Sequence, residues 1–481
     1  MSAAVCHTSP FAGSWYPGEP ARLRELLARV FETSEGRTGP YLAPQAAAFV
    51  VPHAGLIYSG AVAAAAYRHV RALAPRRVVL LGFAHRGAPP GVWIPEIDVF
   101  RTPLGETEVD RAAVAELLES RACGALPESA LCDHSVEIQL PLLQAAAPAA
   151  KLVPVYVSAL DGARRAAAAE ALAALAGPQT IFLASSDFTH YGRGFSYQPF
   201  PPDDLVAERL RGLDQTIIEA AGSLDAEFFF GALRKTSSTV CGYEPIGLLL
   251  ETLRRTGGGR EIFQELLDYQ TSGEITGDFR QSVSYAALGF FADDAFHLAA
   301  EDRALLLDAA RRTLDCYLAT GQRLRKLPAC STPALERRGA AFVTLTCRGE
   351  LRGCVGRHTV SEPLSETIPA LTLAAALDDT RFRPVGRGES GFEIEISVLT
   401  PFKRVREPEQ VQAGVHGALL EAGIFHGLLL PQVATERGWS APQFLEALAR
   451  KAGVSRDAYR DPSSRLYVFR AQVFGENRVG D

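Results

Sequence analysis

Through roughly the first 290 residues, short apolar runs alternate with stretches whose apolar positions recur at helical spacing. "PARLRELLARVFE" predicts a helix, with Pro20 suited to its first turn. "QAAAFVVPH" predicts a buried strand, and "SGAVAAAAYRHVRAL" a small-residue helix able to pack closely on a sheet. "RRVVLLGFAH" is a strand again, and "TEVDRAAVAELLES" a helix with an acidic first turn. "DHSVEIQLPLLQAAAP" begins as a helix that Pro141 kinks or tightens. "KLVPVYVS" predicts a strand, "GARRAAAAEALAALAG" a helix ending at a glycine, and "TIFLASSDF" a further strand. "SVSYAALGFF", at 282–291, reads as a late strand that closes the unit. Strands alternating with helices imply an α/β domain with a largely parallel central sheet and flanking helices.

The texture then changes. "ADDAFHLAAEDRALLLDAARRTLDCYLATG" opens a new helix, and "GAAFVTLTCRGELRGCVG" alternates as a β-hairpin. This half predicts an α+β domain. The boundary falls near residues 291–297, giving domains at 1–293 and 297–478. No low-complexity linker separates them, so docked halves are expected.

Composition narrows the function classes. The chain has 481 residues, 47% hydrophobic and 22% charged, ordinary for a globular protein. A net charge of -6 gives no support for nucleic-acid binding. No apolar run of about 18 residues is present, and the start lacks a basic segment followed by an apolar one. No membrane partner and a cytoplasmic location are therefore expected. Eight scattered cysteines without a C-x-x-C pair argue against a disulfide framework, a zinc ribbon or an iron–sulfur cluster.

The chemistry lies where apolar runs end. Three predicted strands end on His53, on His85, and on Asp187 with His190, each followed by small residues or glycine. In open α/β sheets, ligands bind beyond the carboxyl ends of the strands. His134 and Glu137 in "CDHSVEIQLP" are three apart, which puts them on one face of a helix. Cys241 precedes a predicted helix start in "KTSSTVCGYEPIGLLLETLRR", where the helix dipole favours thiolate. A thiolate with imidazoles suits zinc, iron(II) or copper, and three protein ligands leave an open position. The competing reading is that each histidine is a hydrogen-bonded structural residue and Cys241 packs in the core. Repetition at strand ends favours the ligand reading. His7, His69, His297 and His416 lack that context and are expected to be surface or structural.

"AGSWYPG", "VPHAGLIYSG", "GFAH", "DHSVEIQLP", "SSDFTHYG" and "CGYEPI" occur in this order, and the first half resembles the Memo family. That family is similar in fold to class III extradiol dioxygenases of the LigB type. The resemblance implies that His53 and His85 match the two metal histidines. It places Cys241 where Memo proteins have cysteine and the dioxygenases have glutamate. It implies iron or copper, with His190 as the additional active-site histidine beside Asp187 and His134. On this reading His190, oriented by Asp187, moves a proton. His134 and Glu137 orient ligand or substrate, and Tyr58 and Tyr191 line the pocket.

In the second half, "LRGCVG" sets Cys354 between Gly353 and Gly356, and "LAAALDDTRFRPV" brings Asp379, Arg381 and Arg383 around Phe382. One reading is a tight turn with a buried cysteine and a solvated charge cluster. The other is a pocket whose backbone N–H groups and arginines meet an anion. These segments resemble the AMMECR family, which makes Arg352, Cys354, Asp379 and Arg381 candidates without assigned roles. The paired resemblance implies the AmmeMemoRadiSam system and a radical-SAM partner. The C-x-x-x-C-x-x-C motif of such a partner is absent here, so it must be a separate chain. The expected function is a metal-dependent redox or oxygen-dependent activity on a small molecule or peptide, in a modification pathway. The alternatives are a non-catalytic peptide- or ligand-binding module, and a zinc-dependent hydrolase with His190 as general base.

Overall fold

The computed structural model describes residues 4–256, 260–323, 332–359 and 362–476, so the outer limits 1 and 478 of the expected domains lie outside the described residues. The chain forms two units: one holds Pro44–Ala292 with the segment ending at Thr38, and the other holds Gly39–Ala43 and the chain from Asp293.

The first unit is α/β, built on a mixed, largely parallel nine-stranded sheet. Its centre is four parallel strands in the spatial order Ala46–Val51, Thr180–Ser185, Arg77–Phe83 and Lys151–Val157. Gln281–Ala292 adds antiparallel to Ala46–Val51 and is itself flanked by Ile262–Thr271 and His190–Gly192. Because strand side chains alternate faces, Ala48 and Val50 enter one core while Phe49 meets His69 on the other face, ring centroids 5.6 Å apart. Helices Gly162–Ala174 and Tyr243–Thr256 cover the Val50 face. Helix Leu56–Leu73 carries His69 on the opposite face.

Three local expectations change. The helix of "TEVDRAAVAELLES" starts only at Arg111, since Asp110 caps it by accepting from Ala113 N–H, and its first turn holds no acid. Glu106 and Glu108 lie on the preceding strand Gly105–Glu108. The helix from Gly162 ends at Ala174, short of Gly177. "DHSVEIQLPLLQAAAP" is two helices, His134–Glu137 and Gln139–Ala146, parted at Ile138. Pro141 explains the break, because its ring crowds the carbonyl four residues back, at Glu137. Helices Pro20–Thr38, Val206–Gly222 and Ala226–Thr236 and a small three-stranded sheet also belong to this unit.

The second unit is α+β. One sheet orders Glu350–Arg357, Ala341–Cys347, Phe392–Leu399 and Ala471–Gly475, all antiparallel. Helices Ala300–Thr320 and Leu364–Leu377 share its core. A second four-stranded sheet packs against helix Ala441–Ala452. Among the described residues, no helix is long and apolar enough to cross a membrane.

Candidate metal centre

Parallel pairing places three strand ends side by side. Val51, Ser185 and Phe83 all stop at the same edge of the sheet, so Pro52-His53, Ser186-Asp187 and Ala84-His85 emerge together. Cys241 reaches this edge from the turn before helix Tyr243–Thr256. Its neighbour Gly242 must be glycine for that approach: a Cβ would lie 2.5 Å from the Ser185 carbonyl oxygen and 2.5 Å from Ser186 Cβ. Gly242 N–H donates to Ser186 Oγ at 2.9 Å, and Glu244 accepts from Leu160 N–H at 3.1 Å. Both bonds anchor the start of the helix.

The donor atoms of His53, His85 and Cys241 all lie within 4.8 Å of one another. Cys241 Sγ is 3.0 Å from His53 Nε2. His53 is buried, whereas His85 is exposed and opens the site to solvent. The two rings have centroids 5.4 Å apart at an interplanar angle of 86°. Behind them stand fixed partners. Ser185 Oγ lies 3.1 Å from His53 Nδ1, and Gln139 Nε2 donates to that oxygen at 3.1 Å and to the Pro52 carbonyl at 2.8 Å. Asp133 accepts from His85 N–H at 2.9 Å and lies 3.4 Å from its Nδ1.

Burial, reinforced by the neighbouring imidazoles His134, His85 and His190, holds His53 well below the usual histidine range and therefore neutral. That is the protonation state a metal ligand needs. For Cys241 the expected pull of the helix dipole toward thiolate is opposed by its surroundings. Burial, and then the Asp187 carboxylate, push its thiol up.

His134 joins the cluster, its ring 4.4 Å from His85 and 5.1 Å from His53, and Trp15 covers it at 4.8 Å. Burial, then the charge of His85, pushes His134 down to about 4. His190 lies outside the three-donor set. Its Nδ1 is 3.0 Å from the carbonyls of both Phe188 and Thr239. Two acceptors at Nδ1 put the proton there and leave Nε2 with a free lone pair.

Three expected roles differ. Asp187 spends its hydrogen bonds elsewhere than on His190: it is buried, its Oδ1 accepts from His53 N–H at 2.8 Å and Ala54 N–H at 3.3 Å, and His190 acts on it through charge. Glu137 does not face the metal side with His134; it is fully buried 3.1 Å from His7. Tyr191 does not line the pocket, since its buried ring stacks on Phe200 and its hydroxyl donates to the Phe200 carbonyl at 2.9 Å. Tyr58 is exposed and lines a hollow of about 750 Å³ with Trp15, Tyr16, Pro17 and Ile57. Sequence reasoning passed over Asp133, Gln139 and Ser185. All three lie inside the motifs already read; Asp133, next to His134, carried a signal, whereas nothing local marked Gln139 or Ser185 as partners of His53.

In the second unit, Asp379 accepts from Cys354 N–H at 2.8 Å and pairs with Arg381 at 2.7 Å, while Arg381 also donates to the Cys354 carbonyl at 3.2 Å. Arg352 donates instead to the Arg383 carbonyl at 2.8 Å and lies 3.4 Å from Glu389. Gly353 is required because a Cβ would fall 1.9 Å from the Ala375 carbonyl oxygen. Cys354 and Arg381 line a cavity of about 690 Å³ with Phe342, Lys451 and Gln432.

Comparison with known proteins covers both units. Residues 8–289 match the family described as Memo-like protein, and residues 307–474 match AMMECR1. A MEMO1 family protein of Thermoplasma acidophilum is 35% identical over 281 residues, 58% of this chain and 96% of that one. The MEMO1 protein of Danio rerio is 32% identical over 296 residues, 59% of this chain and 96% of that one. Among solved structures, an uncharacterized protein of Pyrococcus horikoshii is 36% identical and covers 36% of this chain and 90% of its own, with a TM-score of 0.35.

Proposed function

Because this chain belongs to the Memo family and carries an AMMECR1 domain after its Memo unit, we propose that His53, His85 and Cys241 hold one redox-active metal, iron or copper. The observation that carries the proposal is the donor set: two imidazoles and a sulfur gathered at one sheet edge, with His53 neutral and the His85 side open. The fit extends beyond the three donors. Ser185 meets His53 at Nδ1 and so turns Nε2 toward Cys241, and Asp133 meets His85 in the same manner. A bound ion supplies a Lewis acid and an electron-transfer centre with a vacant position.

The protein's own groups set the rest. Asp187 fixes the His53 backbone through two N–H bonds. His190, its Nδ1 proton held by two carbonyls, accepts a proton at Nε2. Trp15 covers His134 and limits water at that side. The activity we propose is redox or oxygen-dependent chemistry on a small molecule or peptide, in a modification pathway with a separate radical-SAM protein as partner. The exposed Tyr58 and Ile57 beside Trp15 favour a second reading, a ligand-binding module in which this hollow holds a peptide.

The test is anaerobic purification followed by iron, copper and zinc analysis, then oxygen uptake with catechol-like substrates. Redox metal that is lost in the combined His53→Ala, His85→Ala, Cys241→Ser variant, with substrate-dependent oxygen uptake, is the expected result. His190→Gln should keep the metal and lose turnover. Redox metal undiminished in the combined variant refutes the assignment. Zinc with esterase or amidase activity would replace it with the hydrolase reading, and peptide binding without metal with the module.

A further inference from the structure

The turn that carries Asp133 and His134 presents a second donor set on its other side. Glu137 is fully buried, and neither of its carboxylate oxygens accepts a hydrogen bond. A desolvated carboxylate of this kind needs a proton or a cation beside it. His7 Nε2 lies 3.1 Å from Glu137 Oε1, yet is misaligned for a hydrogen bond and has no other partner. The ligand atoms of His7, Glu137 and the buried Cys132 all lie within 4.8 Å of one another.

The other nitrogen of His7 strengthens the case. Nδ1 is 3.1 Å from Glu128 Oε2, the arrangement in which an outer carboxylate takes the Nδ1 proton and turns Nε2 toward a metal. With the proton at Nδ1, Nε2 and Glu137 Oε1 face each other as two acceptors. Something positive must lie between them. Burial alone would lower His7, but the Glu137 and Glu128 carboxylates outweigh it and raise it, so the rival occupant is a second ring proton. The buried Cys132 thiol beside the pair supplies the third donor that a metal site needs.

We propose that His7 Nε2, Cys132 Sγ and the Glu137 carboxylate bind a structural zinc ion, separate from the His53–His85–Cys241 centre. A nitrogen, a sulfur and an oxygen donor together match zinc's ligand preferences, and the second unpartnered oxygen of Glu137 supplies the fourth contact a structural ion needs. On binding, the Cys132 thiol gives its proton to solvent, and an imidazolium at His7 does the same. The ion ties strand Cys6–Thr8 to the His134–Glu137 turn. That turn's cap, Asp133, holds His85, so the second ion positions a ligand of the first.

The experiment uses the full chain with the first centre removed by His53→Ala, His85→Ala and Cys241→Ser. The chelator-stripped protein is titrated with Zn²⁺, and separately with Co²⁺ as a spectroscopic probe. One equivalent of Zn²⁺ and a thiolate-to-cobalt charge-transfer band are expected. Adding Cys132→Ser should abolish the band, and adding Glu137→Gln should take Zn²⁺ uptake from one equivalent to none. Circular dichroism establishes that each variant is folded, and if Glu137→Gln unfolds the chain, Cys132→Ser decides alone. A folded first-centre variant that takes up no Zn²⁺ overturns the proposal. So does uptake that survives Cys132→Ser unchanged.

Discussion

Ser185→Ala tests whether the first centre depends on its supporting hydrogen bonds. Ser185 is fully buried, with Oγ 3.1 Å from both His53 Nδ1 and Gln139 Nε2. The Gln139 amide has one sensible orientation, because its Nε2 faces the Pro52 carbonyl at 2.8 Å and its Oε1 accepts from the Tyr67 hydroxyl at 3.1 Å. Ser185 therefore accepts from Gln139, and its second lone pair is placed to take the Nδ1 proton of His53, the tautomer that metal binding at Nε2 requires. That leaves Nε2 bare toward Cys241. Alanine removes the oxygen and strands a buried Nδ1–H, at a cost of about 1–3 kcal/mol. Gln139 keeps its Pro52 acceptor, so most of the cost falls on His53. Removing an outer partner of this kind weakens metal binding about 10–100-fold, equivalent to about 1.4–2.7 kcal/mol. The assay is competition for Fe²⁺ between the apo-protein and a chelator of known affinity, with urea unfolding of the metal-free variant as control. An affinity within a factor of about two of the parent, well below the range for outer partners, would refute the reasoning, because Ser185 would then not set the imidazole.

Gly242→Ala should strip the metal from a folded chain. The new Cβ begins 2.5 Å from the Ser185 carbonyl oxygen, so Cys241 must retreat. A shift of about 1 Å far exceeds the ±0.2 Å that metal bonds tolerate, and the overpacking costs about 1–3 kcal/mol. Metal analysis with calorimetry checks both. Asp379→Asn should destabilise the second unit at neutral pH but not in acid. Hydrogen bonds from Arg381 hold Asp379 down to about 2, below its unfolded value, so its stabilisation is present above about pH 4 and is lost as pH falls toward 2. Arg381 is 57% exposed and screened, so the effect is about 1 kcal/mol. Urea midpoints of variant and parent between pH 7 and pH 3 should converge as the pH falls.

The strand ends were legible because a buried strand is a nearly unbroken apolar run, and its polar terminus declares which edge it faces. His53 and His85 follow from that alone. The lateral order of the strands does not. Thr180–Ser185 lies between Ala46–Val51 and Arg77–Phe83 although it is far from both in sequence, and parallel pairing leaves no local trace. Tyr191 was misplaced where alternation could have corrected it. In the strand His190–Gly192 adjacent side chains point to opposite faces, so a histidine in the site sends its neighbour into the core. His7 was invisible for a different reason: the strand Cys6–Thr8 is three residues long and too short to carry a period.

The segment 132–137 shows how one short turn serves two purposes. A spacing of three suggested a shared face for His134 and Glu137, yet residues three apart on a helix differ by about 60° around its axis. The helix His134–Glu137 is one turn long and ends at the Pro141-induced break, so no later turn averages that angle away. Asp133 and His134 consequently meet His85, while Cys132 and Glu137 meet His7. Gly82 lets this turn lie against the central sheet, since a Cβ there would come 2.5 Å from Ser135 Oγ and 2.7 Å from Val136 Cγ2. A substitution at Gly82 should therefore disturb both donor sets together, whereas changes at Gly242 should reach only the first.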